Sequence, residues 1–254
     1  MVINMYALLL TFLVGFFIMI GAFIVFKTKN NDKIVQFSIS VALGVMAALG
    51  LLELLPESLE KFSVDFKDAR AFVLVIASAA IGFGLLKLLD HFIPDHEEEN
   101  KTKKAKKEHL LHIGIVASIA LVIHNIIEGM ALYTAALTDL KMGLLMCLGI
   151  GLHNIPMGMV IASTFYNTKK DKKKTILLLL GVSLSTFLGG FLLFLINHGI
   201  TDNVIGILLG ITLGMICYIV VCELIPQVRK MQDKKSAYVG ILIGILILTC
   251  SLFL

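Results

Sequence analysis

The sequence predicts an all-α, polytopic membrane protein with eight transmembrane helices, and three observations carry that prediction. The first is composition: 58% of the 254 residues are hydrophobic and only 16% charged, with a mean hydropathy of +0.94. Soluble domains are nearer a quarter charged, and this much apolar surface cannot hide in one water-soluble core. The second is the spacing of eight apolar runs, each long enough to cross about 30 Å of hydrocarbon. The third is the sorting of basic residues between those runs, which alternates from one side to the other.

Taken in order, the runs are 4–26, 34–56, 71–93, 110–137, 142–166, 175–197, 203–226 and 237–254. Span 1 follows no basic residues, lacks an A-x-A cleavage pattern and exceeds a signal-peptide core in length, so it is expected to be retained. Connections one, three, five and seven hold Lys27, Lys29 and Lys33; Lys101, Lys103, Lys104, Lys106 and Lys107; Lys169, Lys170, Lys172, Lys173 and Lys174; and Arg229, Lys230, Lys234 and Lys235. The even connections hold only Lys61, Lys67, Arg70 and Lys141. The odd connections are therefore expected in the cytoplasm, with both termini outside.

Span 2 ends in "LLELLPE" (51–57) and span 7 in "VCELIPQ" (221–227), which places Glu53 over Glu223 and Pro56 over Pro226. Spans 4 and 5 carry a second near-repeat, "LVIHNIIEGMAL" (121–132) and "GLHNIPMGMVIA" (151–162). In both cases an odd number of crossings separates the copies, so each pair is inverted. Inverted repeats with polar groups near mid-membrane characterise secondary transporters.

The polar groups inside spans 4 and 5 are the candidate site. His124 and Glu128 are i, i+4 neighbours and share one helix face, with Asn125 on its flank. His153 and Met157 repeat that spacing, with Asn154 on the flank. Apposed antiparallel helices would bring His124, Glu128 and His153 to one point. Two imidazoles and a carboxylate suit Zn²⁺, and also Fe²⁺ or Mn²⁺. Buried polar residues can also just bridge helices, but an intramembrane acid is costly unless paired or functional. Pro156 releases the Leu152 carbonyl one turn earlier and is expected to kink its helix.

Other features exclude or add little. No G-x-x-x-x-G-K-[ST] loop occurs and no soluble segment could form a nucleotide domain, so no ATP, organic cofactor or nucleic-acid partner is expected. Neither helix carries H-E-x-x-H, which argues against an intramembrane metallohydrolase. Cys147, Cys217, Cys222 and Cys250 lie in apolar stretches without a C-x-x-C pair and read as buried small hydrophobes. The third connection, centred on 94–109, mixes His91, His96, His109 and His112 with acids and lysines. It reads as a solvated cytoplasmic linker whose basic half faces anionic lipid, with metal capture as its other reading. Glu53, Glu57 and Glu223 could form polar vestibules at opposite ends of a path, and His198 and Asp202 are weak candidates for attracting cations.

"HNIIEG" and "HNIPMG" resemble the span-4 and span-5 metal motifs of the ZIP (Zrt/Irt-like) family, and "LLELLPES" and "VCELIP" resemble its span-2 and span-7 ends. The resemblance covers nearly the whole chain. It implies a 3+2+3 inverted-repeat bundle in the cell membrane that takes up Zn²⁺, or Fe²⁺, Mn²⁺ or Cd²⁺, into the cytoplasm between spans 4 and 5. The divalent ion and the lipid bilayer are then the partners, and a homodimer is the assembly left open. The family's two-metal arrangement implies a first site of His124, Glu128, His153 and position 157, and a second of Asn125, Glu128, Asn154 and two further acids. Here those acid positions hold Met157 and Thr186, the latter in "GVSLSTFLGG" (181–190), and Ile127 stands where the family usually has proline. The expectation is one metal, held by Glu128 with neutral ligands. A non-transporting metal sensor is the rival reading. The Met157 thioether is a poor zinc ligand that favours Cu⁺, and its plainer reading is helix packing.

Overall fold

The computed structural model describes residues 2–28, 31–92, 103–138, 140–169, 172–196 and 201–253. Among them the chain is helical with no strand, as composition predicts. The helices are α1 (Val2–Lys27), α2 (Asn31–Leu49), α3 (Leu55–Ser63), α4 (Asp68–Phe92), α5 (Lys103–Thr138), α6 (Leu140–Lys169), α7 (Lys172–Ile196), α8 (Asp202–Tyr218), α9 (Ile225–Lys230) and α10 (Lys234–Leu252). Among the described residues, seven helical stretches are long and apolar enough to cross a bilayer: Met5–Lys27, Gln36–Ser63, Ala69–Leu88, Gly114–Leu137, Gly143–Tyr166, Lys172–Ile196 and Asp202–Lys230. The 19-residue α10 stands where the eighth span was expected. Large apolar side chains such as Phe72, Val73 and Ile76 on α4 and Leu242 and Leu246 on α10 are exposed, as lipid contact requires.

One boundary differs from expectation. α5 begins at Lys103, so residues 103–109 of the expected 94–109 loop are helical. The segment KKAKKEH is built almost wholly of strong helix formers, and helical hydrogen bonding does not stop where hydropathy does. Residues 93–102 with His96, and His198, lie outside the described residues.

The helices sort into two groups. α1 packs along α6 and α7, and α5 along α6 and α7, which makes one four-helix unit. α2 packs along α10, and α4 along α8. At one end, Ser58 donates to the Gly206 carbonyl (2.9 Å), Lys61 pairs with Asp202 (3.0 Å) and Asn203 donates to Asp65 (2.6 Å), fastening α3 and its following turn to α8. The Lys61 pairing engages Asp202, a weak cation candidate from the sequence.

α2 and α3 are continuous through a π-helical turn at Gly50–Leu54, and α8 and α9 through another at Ile219–Leu224. Each is followed at once by a proline near the start of the next helix, Pro56 and Pro226. Proline cannot donate to the carbonyl four residues earlier and clashes with it in a regular α-helix. A wider π turn just before it relieves that clash without ending the helix, and such turns recur at functional sites. The two turns contain Glu53 and Glu223.

Within the four-helix unit, backbones touch at glycines. A Cβ on Gly129 would lie 1.9 Å from the Thr186 carbonyl oxygen, and one on Gly189 1.9 Å from that of Ile126. On the other side, a Cβ on Gly158 would lie 2.0 Å from the Ile18 carbonyl oxygen, and one on Gly21 2.1 Å from that of Ile155. Contacts this close need glycine on the helix face, as small-residue packing in membranes does. The same reciprocal pattern joins α2 to α10 through Gly44 and Gly244, and α4 to α8 through Gly82 and Gly214.

Candidate metal centre

α5 packs along α6, and their polar faces meet. His124 and Glu128 project from α5 one turn apart, and His153 projects from α6 toward them. His124 Nε2 lies 3.0 Å from Glu128 Oε1, and His153 Nε2 lies 2.8 Å from the same oxygen. The two imidazole rings are 6.2 Å apart between centroids. The candidate ligand atoms of all three residues fall within 4.8 Å of one another. A zinc ion with bonds of about 2.0–2.2 Å holds its donors roughly 3–4 Å apart, so small rotamer adjustments would close the three around it. The cluster is buried, with relative exposures of 2% for His124, 7% for Glu128 and 1% for His153.

The convergence expected from the i, i+4 pattern is therefore present. Asn125 and Asn154 are also fully buried, but they flank the cluster. Asn125 Nδ2 donates to the Val182 carbonyl on α7 at 3.2 Å, tying the motif to the neighbouring helix. Its Oδ1, both amide atoms of Asn154, Glu128 Oε2, Nδ1 of both histidines and Thr186 Oγ1 are buried without a hydrogen-bond partner. Buried polar atoms are ordinarily satisfied, and these open donors and acceptors lie on the two repeated motifs and on α7. Pro156 lies inside α6, which runs on as a single helix from Leu140 to Lys169. The Leu152 carbonyl loses its helical donor there, adding one more acceptor beside His153.

Met157, at the position that matches Glu128, is buried in the apolar core at 2% exposure. A void of about 10 Å³ separates it from α2, α5 and α8, lined by Met46, Ala120, Leu121, His124, Met157, Ile216 and Ile219. That volume admits roughly one water-sized occupant. Met46 was not singled out from the sequence. It sits on α2 in an unremarkable apolar run, and only tertiary packing brings it to His124. The sequence placed Glu53 in a vestibule at one end of the path. Here Glu53 is within electrostatic reach of His153, Glu128 and His124, and Glu57 within reach of Glu53 and Glu128. A row of carboxylates thus runs along α3 and the preceding π turn toward the cluster.

Comparison with known proteins agrees with this geometry. Residues 94–251 match the family model described as ZIP Zinc transporter. Over 272 residues the chain is 30% identical to a protein of Clostridium perfringens named Zinc transporter ZupT, covering 98% of this chain and 95% of that one. Proteins of the same name from Streptococcus mutans and Chlorobaculum parvum are 29% and 26% identical, each across 98% of this chain and 97% of their own. With the family model matched over more than half of the chain and relatives aligned end to end, this chain belongs to the ZIP family, and it is a multi-pass membrane metal transporter, not an enzyme.

Proposed function

We propose that the protein carries Zn²⁺ inward across the cell membrane, through a site formed by His124, Glu128 and His153 with Asn125 and Asn154 beside it. The observation that carries this reading is the meeting of two imidazole nitrogens and one carboxylate oxygen within 3.0 Å in a fully buried place. Neutral nitrogen with one carboxylate is a borderline-soft set that fits Zn²⁺ and extends to Fe²⁺, Mn²⁺ and Cd²⁺. The zinc in the relatives' names supports the same ion. The inward direction is what the family resemblance implies, and the placing of both termini outside rests on the distribution of lysine and arginine between connections.

The spans are arranged as 3+2+3 in this reading, two inverted three-span repeats around spans 4 and 5. The glycine contacts support it. Gly129 and Gly158 occupy matching places in "HNIIEGM" and "HNIPMGM", and each meets a carbonyl three residues before a glycine of the partner helix, Thr186 before Gly189 and Ile18 before Gly21. Gly44 and Gly214 each precede the acid of a π turn by the same interval and make equivalent contacts with α10 and α4.

One metal is bound at a time. Glu128 is the sole acid among the described residues of the buried cluster, so a divalent ion keeps about one uncompensated positive charge. Introducing Met157→Glu supplies a second carboxylate. At 4 Å and an effective dielectric of 20 an ion pair is worth about 4 kcal/mol, part of which desolvation offsets. We expect zinc affinity to rise roughly ten- to a hundredfold, measured by competition with a fluorescent zinc chelator on purified protein. Unchanged affinity would show that position 157 does not face the site.

The direct test is zinc uptake into proteoliposomes. Accumulation that depends on the protein supports the carrier. Zinc binding without uptake favours the sensor reading, which the neutral residues at 157 and 186 keep in play, and no binding at all removes the metal assignment.

A further inference from the structure

The four-helix unit ends, on its basic side, in a feature that zinc transport does not use. α1 and α7 run antiparallel along one register: Gly15 meets the Ser183 backbone, the rings of Phe12 and Phe187 lie 5.8 Å apart, and Lys172 reaches Phe26. Where this pair of helices ends, two ammonium groups rest on aromatic faces of α1. Lys27 Nζ is 4.7 Å from the centroid of the Phe23 ring, and Lys172 Nζ is 5.1 Å from that of Phe26. Tyr166 of α6 meets Phe26 edge-on at 5.2 Å and braces it. Phe23 is 57% exposed, and so is 71% of Leu177 on α7, which leaves apolar surface open to lipid next to the lysines.

Lys27, Lys172 and Lys173 are exposed, and among the described residues none of the three makes an ion pair. The stretch 169–174 carries five lysines and a single acid, Asp171. Positive-inside sorting accounts for lysines close to a membrane, and a lysine that needs only water snorkels outward to it. Neither accounts for lysines of two separate connections lying over rings of one helix, each within cation–π reach of its ring. A ring face leaves the ammonium N–H donors of such a lysine open to an anion. We infer that the α1–α7 junction binds one anionic phospholipid. Its phosphate takes the ammoniums of Lys27 and Lys172, with Lys173 adding charge, and its acyl chains lie against Phe23 and Leu177. The lysine distribution places this end in the cytoplasmic leaflet, which carries the negative surface potential. The inference stands apart from zinc, since it invokes no residue of the buried cluster.

The sequence holds no tryptophan, so Phe23→Trp gives a single fluorescent reporter at the junction and keeps an aromatic face under Lys27. The full chain is reconstituted without metal in vesicles of phosphatidylcholine and phosphatidylglycerol, with bromine on the acyl chains of one lipid or the other as quencher. A lysine near an anionic surface contributes about fivefold in affinity, so phosphatidylglycerol should be preferred over phosphatidylcholine at position 23 by about tenfold or more. Lys27→Gln/Lys172→Gln should remove most of that preference. Tyr238→Trp, in a chain that keeps Phe23, is the control for general attraction to the basic side. Tyr238 is 65% exposed on α10 and follows Lys234 and Lys235, and a reporter there should show a clearly smaller preference. Equal quenching by the two brominated lipids at position 23, an equal preference at position 238, or a preference unchanged by Lys27→Gln/Lys172→Gln overturns the inference. Positions 23 and 238 decide the matter between them even where the lysine variant is poorly folded.

Discussion

Glu128→Gln is expected to abolish zinc uptake while leaving the fold in place. The carboxylate is the one charged member of the buried cluster, and a single oxygen of it touches both histidines, at 2.8 and 3.0 Å. Glutamine keeps the shape and an acceptor oxygen, so His153 retains its hydrogen bond and the helices keep their packing. What disappears is the negative charge. A dication would then sit in a low-dielectric place among neutral ligands, and desolvating an uncompensated ion is prohibitive. Changes outside a ligand set already cost 10–100-fold in metal affinity; loss of the only anionic ligand should exceed about 100-fold. Uptake of zinc into proteoliposomes, with a thermal melt to confirm folding, decides the matter. Near-normal transport by a well-folded Glu128→Gln protein would falsify the assignment of Glu128 as a ligand.

The second large effect concerns glycine. Gly129→Ala places a methyl 1.9 Å from the Thr186 carbonyl oxygen, and Gly158→Ala places one 2.0 Å from that of Ile18. Both obstacles are backbone, which cannot swing aside, so the helices must part by about an ångström. Overpacking of this kind typically costs about 1–3 kcal/mol. It also displaces Glu128 or the backbone beside His153 by more than the roughly 0.5 Å that a metal constellation tolerates. We expect each variant to melt at lower temperature and to lose most zinc uptake. Gly181→Ala is the control: a Cβ there meets nothing within 4 Å, and the variant should melt and transport like the parent. Equal behaviour of Gly129→Ala and Gly181→Ala would mean that the α5–α7 contact is not what sets the site.

The parts of this molecule legible in its sequence are those with a period or a charge. Apolar run length predicted the spans, because a bilayer sets a fixed thickness for each crossing. The i, i+4 spacing of His124 and Glu128, repeated by His153 and Met157, predicted a shared point between two helices, and the cluster is there. Helix ends were less legible: α5 starts at Lys103 because lysine and alanine sustain a helix outside the apolar run. The π turns carry no periodic signal, although the repeated Glu-x-x-Pro strings around Glu53 and Glu223 marked their places. The partner of Asn125 is a backbone carbonyl, that of Val182, and every residue has one. Met46 is distant from His124 in sequence and chemically ordinary, so its place beside the cluster emerges only when α2 is packed against α6.

The single shared carboxylate also determines how membrane voltage acts on the proposed cycle. With neutral histidines, the empty site carries one negative charge, and the zinc-loaded site one positive charge. Each elementary charge crossing 100 mV exchanges about 2.3 kcal/mol with the field. An inside-negative potential then draws the loaded site inward and drives the empty one back, with equal force on the two halves of the cycle. A site with two acids would be neutral when loaded, and the whole effect of voltage would fall on the empty return. In the proposed import, Met157 in place of a second acid spreads the electrical work over both directions of movement.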